Sequence, residues 1–193
     1  RESWVRLRLN LIADVGIIGL PNVGKSSFLS SITNAKPKIG NYSFTKLHPN
    51  LGVISYSDFS ELVIADIPGI IKNASEGVGL GIKFLGHIEK CKLLIHFLDC
   101  TEENILKNYN VIRTELKKYS SSLDKKKEVI VLTKADLIKT NEMKLKIKKL
   151  KDKLKRDICS ISNNDNESIH NLKKLLLSEN NNNNQLVKKT WSP

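Results

Sequence analysis

Residues Gly19 to Ser26 read Gly-Leu-Pro-Asn-Val-Gly-Lys-Ser and fit the pattern G-x-x-x-x-G-K-[ST]. That spacing suits a loop that wraps a polyphosphate. Gly19, Pro21, Asn22, Val23 and Gly24 form the cradle, its glycines letting the backbone turn N–H groups inward. Lys25 brings a full positive charge to the β- and γ-phosphates. Ser26, with Ser27 beside it, opens a helix and is placed to hold Mg²⁺. At average composition these four fixed positions match by accident in roughly one chain in a hundred of this length. The flanking pattern lowers that further. Ile12 to Ile18 is a run with the length and branching of a buried strand, and Phe28, Leu29 and Ile32 follow at helical spacing.

Two further clusters carry chemistry. Asp66 ends an apolar run and begins Asp66-Ile67-Pro68-Gly69. A carboxylate there suits Mg²⁺, held through water, and Gly69 puts an unobstructed backbone N–H close to a γ-phosphate. Alone, D-x-P-G is ordinary turn chemistry; behind a P-loop, in this order, the functional reading prevails. Thr133-Lys134-Ala135-Asp136, followed by Leu137, lies at the carboxyl end of a later strand, where ligands sit in open α/β sheets. A carboxylate can accept paired hydrogen bonds from the N1–H and exocyclic amine of guanine. Adenine offers no matching donors, so Asp136 predicts GTP over ATP, with the stem of Lys134 packed over the base.

The rest of the chain must position these groups. Strands are expected at 51–56, 62–66, 93–98, 129–132 and 158–161, and helices at 24–34, about 82–90, 102–119, 141–156 and 167–178. Residues 35–50 read as a long loop, a length that is usually functional. The alternation predicts an α/β fold with a six-stranded, mostly parallel sheet and helices on both faces. Within the segment 1–11, residues 4–11 alternate apolar and polar. The segment is either an extension of the first strand or the junction to a missing upstream domain, since the chain begins at Arg1 rather than Met. The nucleotide domain is expected over 12–179. The tail 180–193, with five consecutive Asn residues, is expected to be flexible.

At 193 residues the chain can bury a core of its own, and its net charge of +12 favours polyanions such as RNA. No stretch is long and apolar enough for a membrane span. Cys91, Cys100 and Cys159 have no C-x-x-C spacing and read as reduced, mostly buried thiols of an intracellular compartment, the cytoplasm or an organelle matrix. His48, His87, His96 and His170 lack metal-ligand spacing and read as structural. In helix 141–156, Met143, Ile147, Leu150 and Leu154 form a core-facing stripe. Its seven lysines and Arg156 are either a solvated face or an RNA-phosphate contact.

These elements resemble a Ras-like P-loop GTPase. LIADVGIIGLPNVGKSSFLSSIT, FTKLHPNLGV and DIPGIIKNASEGVGLGIKFLGHIEKC are similar to the Obg family of ribosome-associated GTPases, over about residues 7–178. The resemblance implies Mg²⁺-dependent hydrolysis of GTP to GDP, switching of residues 35–50 and 67–81, and a partner in ribosomal RNA of the large subunit, with the protein a monomer. It also implies that Ser162 and Asn163, in the place of the family's Ser-Ala, support the base edge.

Several residues depart from the family pattern. Thr133 stands where the base motif usually begins with Asn. The first switch loop reads Phe44-Thr45-Lys46-Leu47, where the family has a second Thr that contacts Mg²⁺. Either Thr45 takes that role or the loop closes differently, and Lys46 could stabilise γ-phosphate charge. Ile70 follows Gly69 where many small GTPases have a water-positioning Gln, so intrinsic hydrolysis is expected to be slow. In related GTPases an Asn matching Asn22 helps to hold K⁺; here it either does so or merely caps the loop. The competing readings are a GTP/GDP-binding switch that barely hydrolyses, and an ATPase, which Asp136 argues against.

Overall fold

The computed structural model describes residues 13–33, 38–39, 50–57, 60–66 and 89–188. At its centre, β1 (Val15–Gly19) is buried at every position, as befits a strand flanked on both edges and covered on both faces. It starts later than the apolar run suggests because Asp14 is used as an anchor. The Asp14 carboxylate accepts from Val63 N at 3.1 Å, and its backbone N–H donates to Val63 O at 2.9 Å.

After β1 come α1 (Lys25–Ile32), β2 (Lys38–Ile39), β3 (Asn50–Ser57) and β4 (Ser60–Asp66). Next are β5 (Leu93–Asp99), α2 (Ile105–Tyr119), the single turn α3 (Ser121–Asp124) and β6 (Glu128–Thr133). A 3₁₀ turn at Ala135–Leu137, α4 (Thr140–Leu154), β7 (Ile158–Ser160) and α5 (Asn166–Lys188) complete the order. The strands lie in the order β2-β3-β4-β1-β5-β6-β7. β1 pairs in parallel with both β4 and β5, β5 with β6, and β6 with β7; β3 runs antiparallel to β4. The six expected strands are present. The seventh, β2, has two residues paired to Asn50 and Leu51 at the sheet edge, inside the stretch read as loop. Too short to show a period, it is defined by its partner.

Strand order reverses at β1, and α/β sheets bind ligands outside such switch points. Helices cover both faces. On one, Phe28, Leu29 and Ile32 of α1 and Ile169, Leu172 and Leu176 of α5 pack with Ile17, Ile95 and Phe97. The Phe28 and Phe97 rings meet edge to face, 5.2 Å between centroids. On the other, Ile105 and Tyr109 of α2 and Met143 and Leu150 of α4 pack with Leu98, Ile130 and Leu132. The α4 stripe faces the core as expected, with Ile147 and Leu154 partly buried beside it.

Two helix boundaries differ from expectation. α2 starts at Ile105 rather than near 102, because Thr101 is tied to Asp99 through its N–H (2.9 Å) and its hydroxyl (2.6 Å). α5 continues to Lys188, past the expected break at 180. Asn180 falls on the face of Ile169, Leu172 and Leu176 and is itself buried. Once a docked helix is nucleated, adding Asn costs only about 0.7 kcal/mol per residue relative to Ala.

A buried charge cluster lies on the α2 side of the sheet. Glu128 accepts from Tyr109 (2.6 Å) and Arg113 (3.3 Å), with Arg156 at 3.5 Å and His96 Nδ1 at 3.7 Å. His96, in the all-buried strand β5, stacks on Tyr109. Burial holds the His96 imidazole below its usual range; the Glu128 carboxylate opposes this and Arg113 reinforces it. His96 is therefore structural, as its sequence context implies. Burial and the hydrogen bond to Glu128 push Tyr109 up.

Candidate functional site

Gly19 ends β1 opposite Phe97 of β5, and its backbone runs so close that a Cβ there would lie 2.6 Å from the Phe97 carbonyl oxygen. Only glycine fits. Asn22 (φ 63°) and Gly24 (φ 95°) are both left-handed, a conformation Asn tolerates better than most residues. Gly24 caps α1 with no side-chain hydrogen bond, and the first turn of α1 contains no acidic residue. The N–H groups at that helix start lack intrahelical acceptors, so the turn can receive an anion. Pro21 and Asn22 are exposed, Ser26 and Ser27 likewise, while Val23 is buried in the core and anchors the loop.

Lys25 folds back along this loop. Its ammonium donates to Gly19 O at 3.2 Å and to Leu20 O at 3.0 Å. Burial pulls its pKa down, and the nearby Asp66 carboxylate opposes that. Ser26 Oγ donates to Asp66 Oδ2 at 2.9 Å, so the two described residues expected to serve Mg²⁺ meet across the gap from α1 to β4. Asp66 is 4% exposed and its Oδ1 is buried without a hydrogen-bond partner among the described residues. A hydroxyl and an orphaned carboxylate oxygen fit a hard divalent cation that takes its other ligands from phosphate and water. Among the described residues no group of three or more His, Cys, Asp or Glu could hold a metal. When bound, Mg²⁺ would neutralise charge on the β- and γ-phosphates. Phe44, Thr45, Lys46, Gly69 and Ile70 lie outside the described residues, as do 1–12, most of the expected helix near 82–90, and 189–193.

The base motif is held by contacts that its own sequence does not announce. Thr133 is 3% exposed and its hydroxyl donates inward to Leu98 O at 3.3 Å. Lys134 takes a left-handed conformation, and its ammonium pairs with the Asp99 carboxylate. Burial by itself would raise Asp99, but hydrogen bonds from Lys134 and Thr101 hold it below the usual carboxylate range. The Cys100 thiol donates to Lys134 O at 3.2 Å, and Lys146 of α4 donates to Cys100 O at 2.7 Å. Asp136 and Leu137 stand exposed on the 3₁₀ turn, and Asn164 Nδ2 donates to Asp136 Oδ2 at 3.4 Å. Ser162 is buried in the turn after β7, and Asn163 reaches towards Gly24.

The P-loop, Asp66, the base motif and the turn at 162–164 thus gather at the carboxyl edge of the sheet. Asp99, Cys100, Lys146 and Asn164 are additions that motif reading missed. The register Asp99↔Thr133 is the signal for the first of them: a carboxylate ending the strand beside the base motif.

Residues 14–134 match the family model described as 50S ribosome-binding GTPase. The chain belongs to this family. It is 51% identical over 174 residues to GTPase Obg of Rickettsia prowazekii, covering 90% of this chain and 52% of that protein. With GTPase Obg of Pelagibacter ubique it shares 52% over 175 residues, 91% of this chain and 53% of that one. The resemblance to the Obg GTPases is borne out, and the chain spans about half the length of these curated relatives. The G domain of the T. maritima FeoB iron transporter superposes with a TM-score of 0.61 at 21% identity, covering 86% of this chain and 96% of that one. A point variant of Aquifex aeolicus Era bound to GDP·AlF4⁻ gives 0.61 at 21%, with 86% and 55% covered. At that identity both show the fold alone, which is the expected Ras-like P-loop fold.

Proposed function

We propose that this GTPase-family chain binds GTP with Mg²⁺, hydrolyses it to GDP and phosphate, and acts as a switch in assembly of the large ribosomal subunit. One observation carries the chemistry. Ser26 and Asp66 meet at 2.9 Å beside Lys25, at the mouth of a loop whose helix start has unpaired N–H groups and no acidic residue, and so can receive an anion. The backbone N–H groups and Lys25 bind phosphate, Ser26 and Asp66 hold the metal, and Asp136 reads the guanine edge. Thr45 and Gly69 are proposed to complete the γ-phosphate contacts. Ile70 offers no polar side chain to orient the attacking water, and a K⁺ held at Asn22 would supply the charge that an arginine finger supplies in other GTPases.

Support for the ribosomal partner comes from the family description and from α4. There Lys144, Lys148 and Lys151 are exposed at i, i+4 and i+7, a row along one flank with no acidic residue in it, and Lys155 is exposed just past the helix end. Such a row suits RNA phosphates. Cys91, Cys100 and Cys159 form no disulfide, which supports a reducing compartment. Among the described residues no helix is long and apolar enough to cross a membrane.

The test is single-turnover hydrolysis of GTP and of ATP in KCl and in NaCl at matched ionic strength. GTP is expected to be cleaved, faster in K⁺, with Asn22→Ala losing the K⁺ stimulation. GTP binding without cleavage in either salt would contradict hydrolysis by the chain alone.

A further inference from the structure

We infer that the side-chain amide of Asn163 is a nucleotide-binding group that donates to the N7 edge of the guanine base, beside the P-loop. The inference deepens the guanine-nucleotide reading of this site and rests on it. A Cβ built on Gly24 would have Asn163 Nδ2 3.9 Å away and Thr133 Cβ 4.0 Å away. The start of α1, the end of β6 and the turn after β7 therefore converge at one point.

That turn is rigidly held. Asp165 N donates to Ser162 O at 3.1 Å, Asn164 N to Ser162 Oγ at 3.1 Å, and Ser162 N to Ser168 Oγ at 3.2 Å. From it two successive amides reach in different directions. Asn164 goes to the Asp136 carboxylate, and Asn163 goes to the P-loop side. Guanine presents a different edge to each side. Asp136 is an acceptor and suits the N1–H and 2-amino donors. The edge carrying N7 and O6 has acceptors only and needs a donor.

The two side-chain donors of the base motif are committed elsewhere. The Thr133 hydroxyl donates inward to Leu98 O, and the Lys134 ammonium is paired with Asp99. The Ser162 hydroxyl oxygen accepts from Asn164 N, and the residue is buried within its own turn, 5% exposed. Asn163 is exposed, and among the described residues no hydrogen bond occupies its amide. A threonine that turns inward on β6 leaves an amide-sized role open, and Asn163 fills it from the neighbouring turn.

The test compares GDP with 7-deaza-GDP, which lacks the N7 acceptor, by calorimetric titration of the parent, Asn163→Ala and Asn163→Ala/Thr133→Asn. Loss of one neutral hydrogen bond should weaken GDP binding by Asn163→Ala roughly fivefold. For 7-deaza-GDP the parent and Asn163→Ala should agree within roughly twofold, there being no N7 bond to lose. Thr133→Asn, which supplies an amide from β6, should recover most of the GDP affinity. An equal loss with both nucleotides, or no loss with either, overturns the inference. Failure of the parent to bind GDP at all would instead overturn the guanine-nucleotide reading, so the two failures are distinguishable.

Discussion

Replacing Gly19 and Gly24 with alanine separates the two reasons a P-loop needs glycine. At Gly24 a Cβ would meet nothing nearer than 3.9 Å, so only the backbone conformation, φ 95°, resists substitution. Left-handed strain on an L-residue costs about 1–2 kcal/mol, and the stiffer unfolded chain returns about 0.4–1, leaving a net loss near 1 kcal/mol. At Gly19 the same methyl would sit 2.6 Å from a backbone carbonyl oxygen in the central sheet and 3.0 Å from the buried Val23 side chain, with φ 153° added. That oxygen cannot swing aside, since β5 is paired on both edges. Overpacking of about 1–3 kcal/mol and backbone strain of similar size give a loss of roughly 4 kcal/mol, a large part of the 5–15 kcal/mol typical of a domain. Urea unfolding without nucleotide measures both. Gly19→Ala should lower the midpoint several times as far as Gly24→Ala, at an unchanged slope. Equal losses, or a harmless Gly19→Ala, would refute the claim that Gly19 is there for close approach between β1 and β5.

Two further outcomes follow from buried charge. Asp99→Asn removes the charge that pairs with Lys134 while keeping the side-chain shape; losing a charge-assisted bond of about 1.5–3 kcal/mol should weaken GDP binding on the order of tenfold. An unchanged GDP affinity would show that Asp99 does not position Lys134. His96 is neutral in the folded core with its pKa lowered, and it faces Glu128, Tyr109, Arg113 and Arg156. The unfolded chain therefore takes up more protons as pH falls below about 6.5, and stability drops between there and the lower folded-state value by up to about 1.4 kcal/mol per pH unit. Thermal melts from pH 7.5 to 5 should show this slope in the parent and a flatter one in His96→Leu; identical slopes would contradict it.

The parts of the site that were legible in the sequence are those whose chemistry is carried by neighbours along the chain. Gly19 to Ser26, Asp66 and Thr133 to Asp136 announce themselves because a loop, a strand end and a turn each present their groups locally. The strand and helix order was legible for the same reason, through the buried run of β1 and the apolar stripe of α4. What the sequence hid depends on register and packing. Asp99 faces Thr133 only once β5 and β6 are paired. Thr133 turning inward to Leu98, and Asn163 approaching Gly24, need the whole sheet assembled. Gly52, where a Cβ would lie 2.5 Å from Leu29, is set by how closely α1 rides on β3. The end of the last helix was hidden as well: α5 runs past 178 through the Asn residues to Lys188, its start being docked on the core.

The central claim is that Asp136 reads guanine, and exchanging its hydrogen-bonding sense tests this most directly. Guanine offers an amine at C2 and xanthine a carbonyl, so Asp136→Asn should turn preference from GDP to XDP. The measurement is a competition titration of both nucleotides against parent and variant. A reversal of preference, with the parent favouring GDP, is the predicted result. A variant that still prefers GDP would contradict the account.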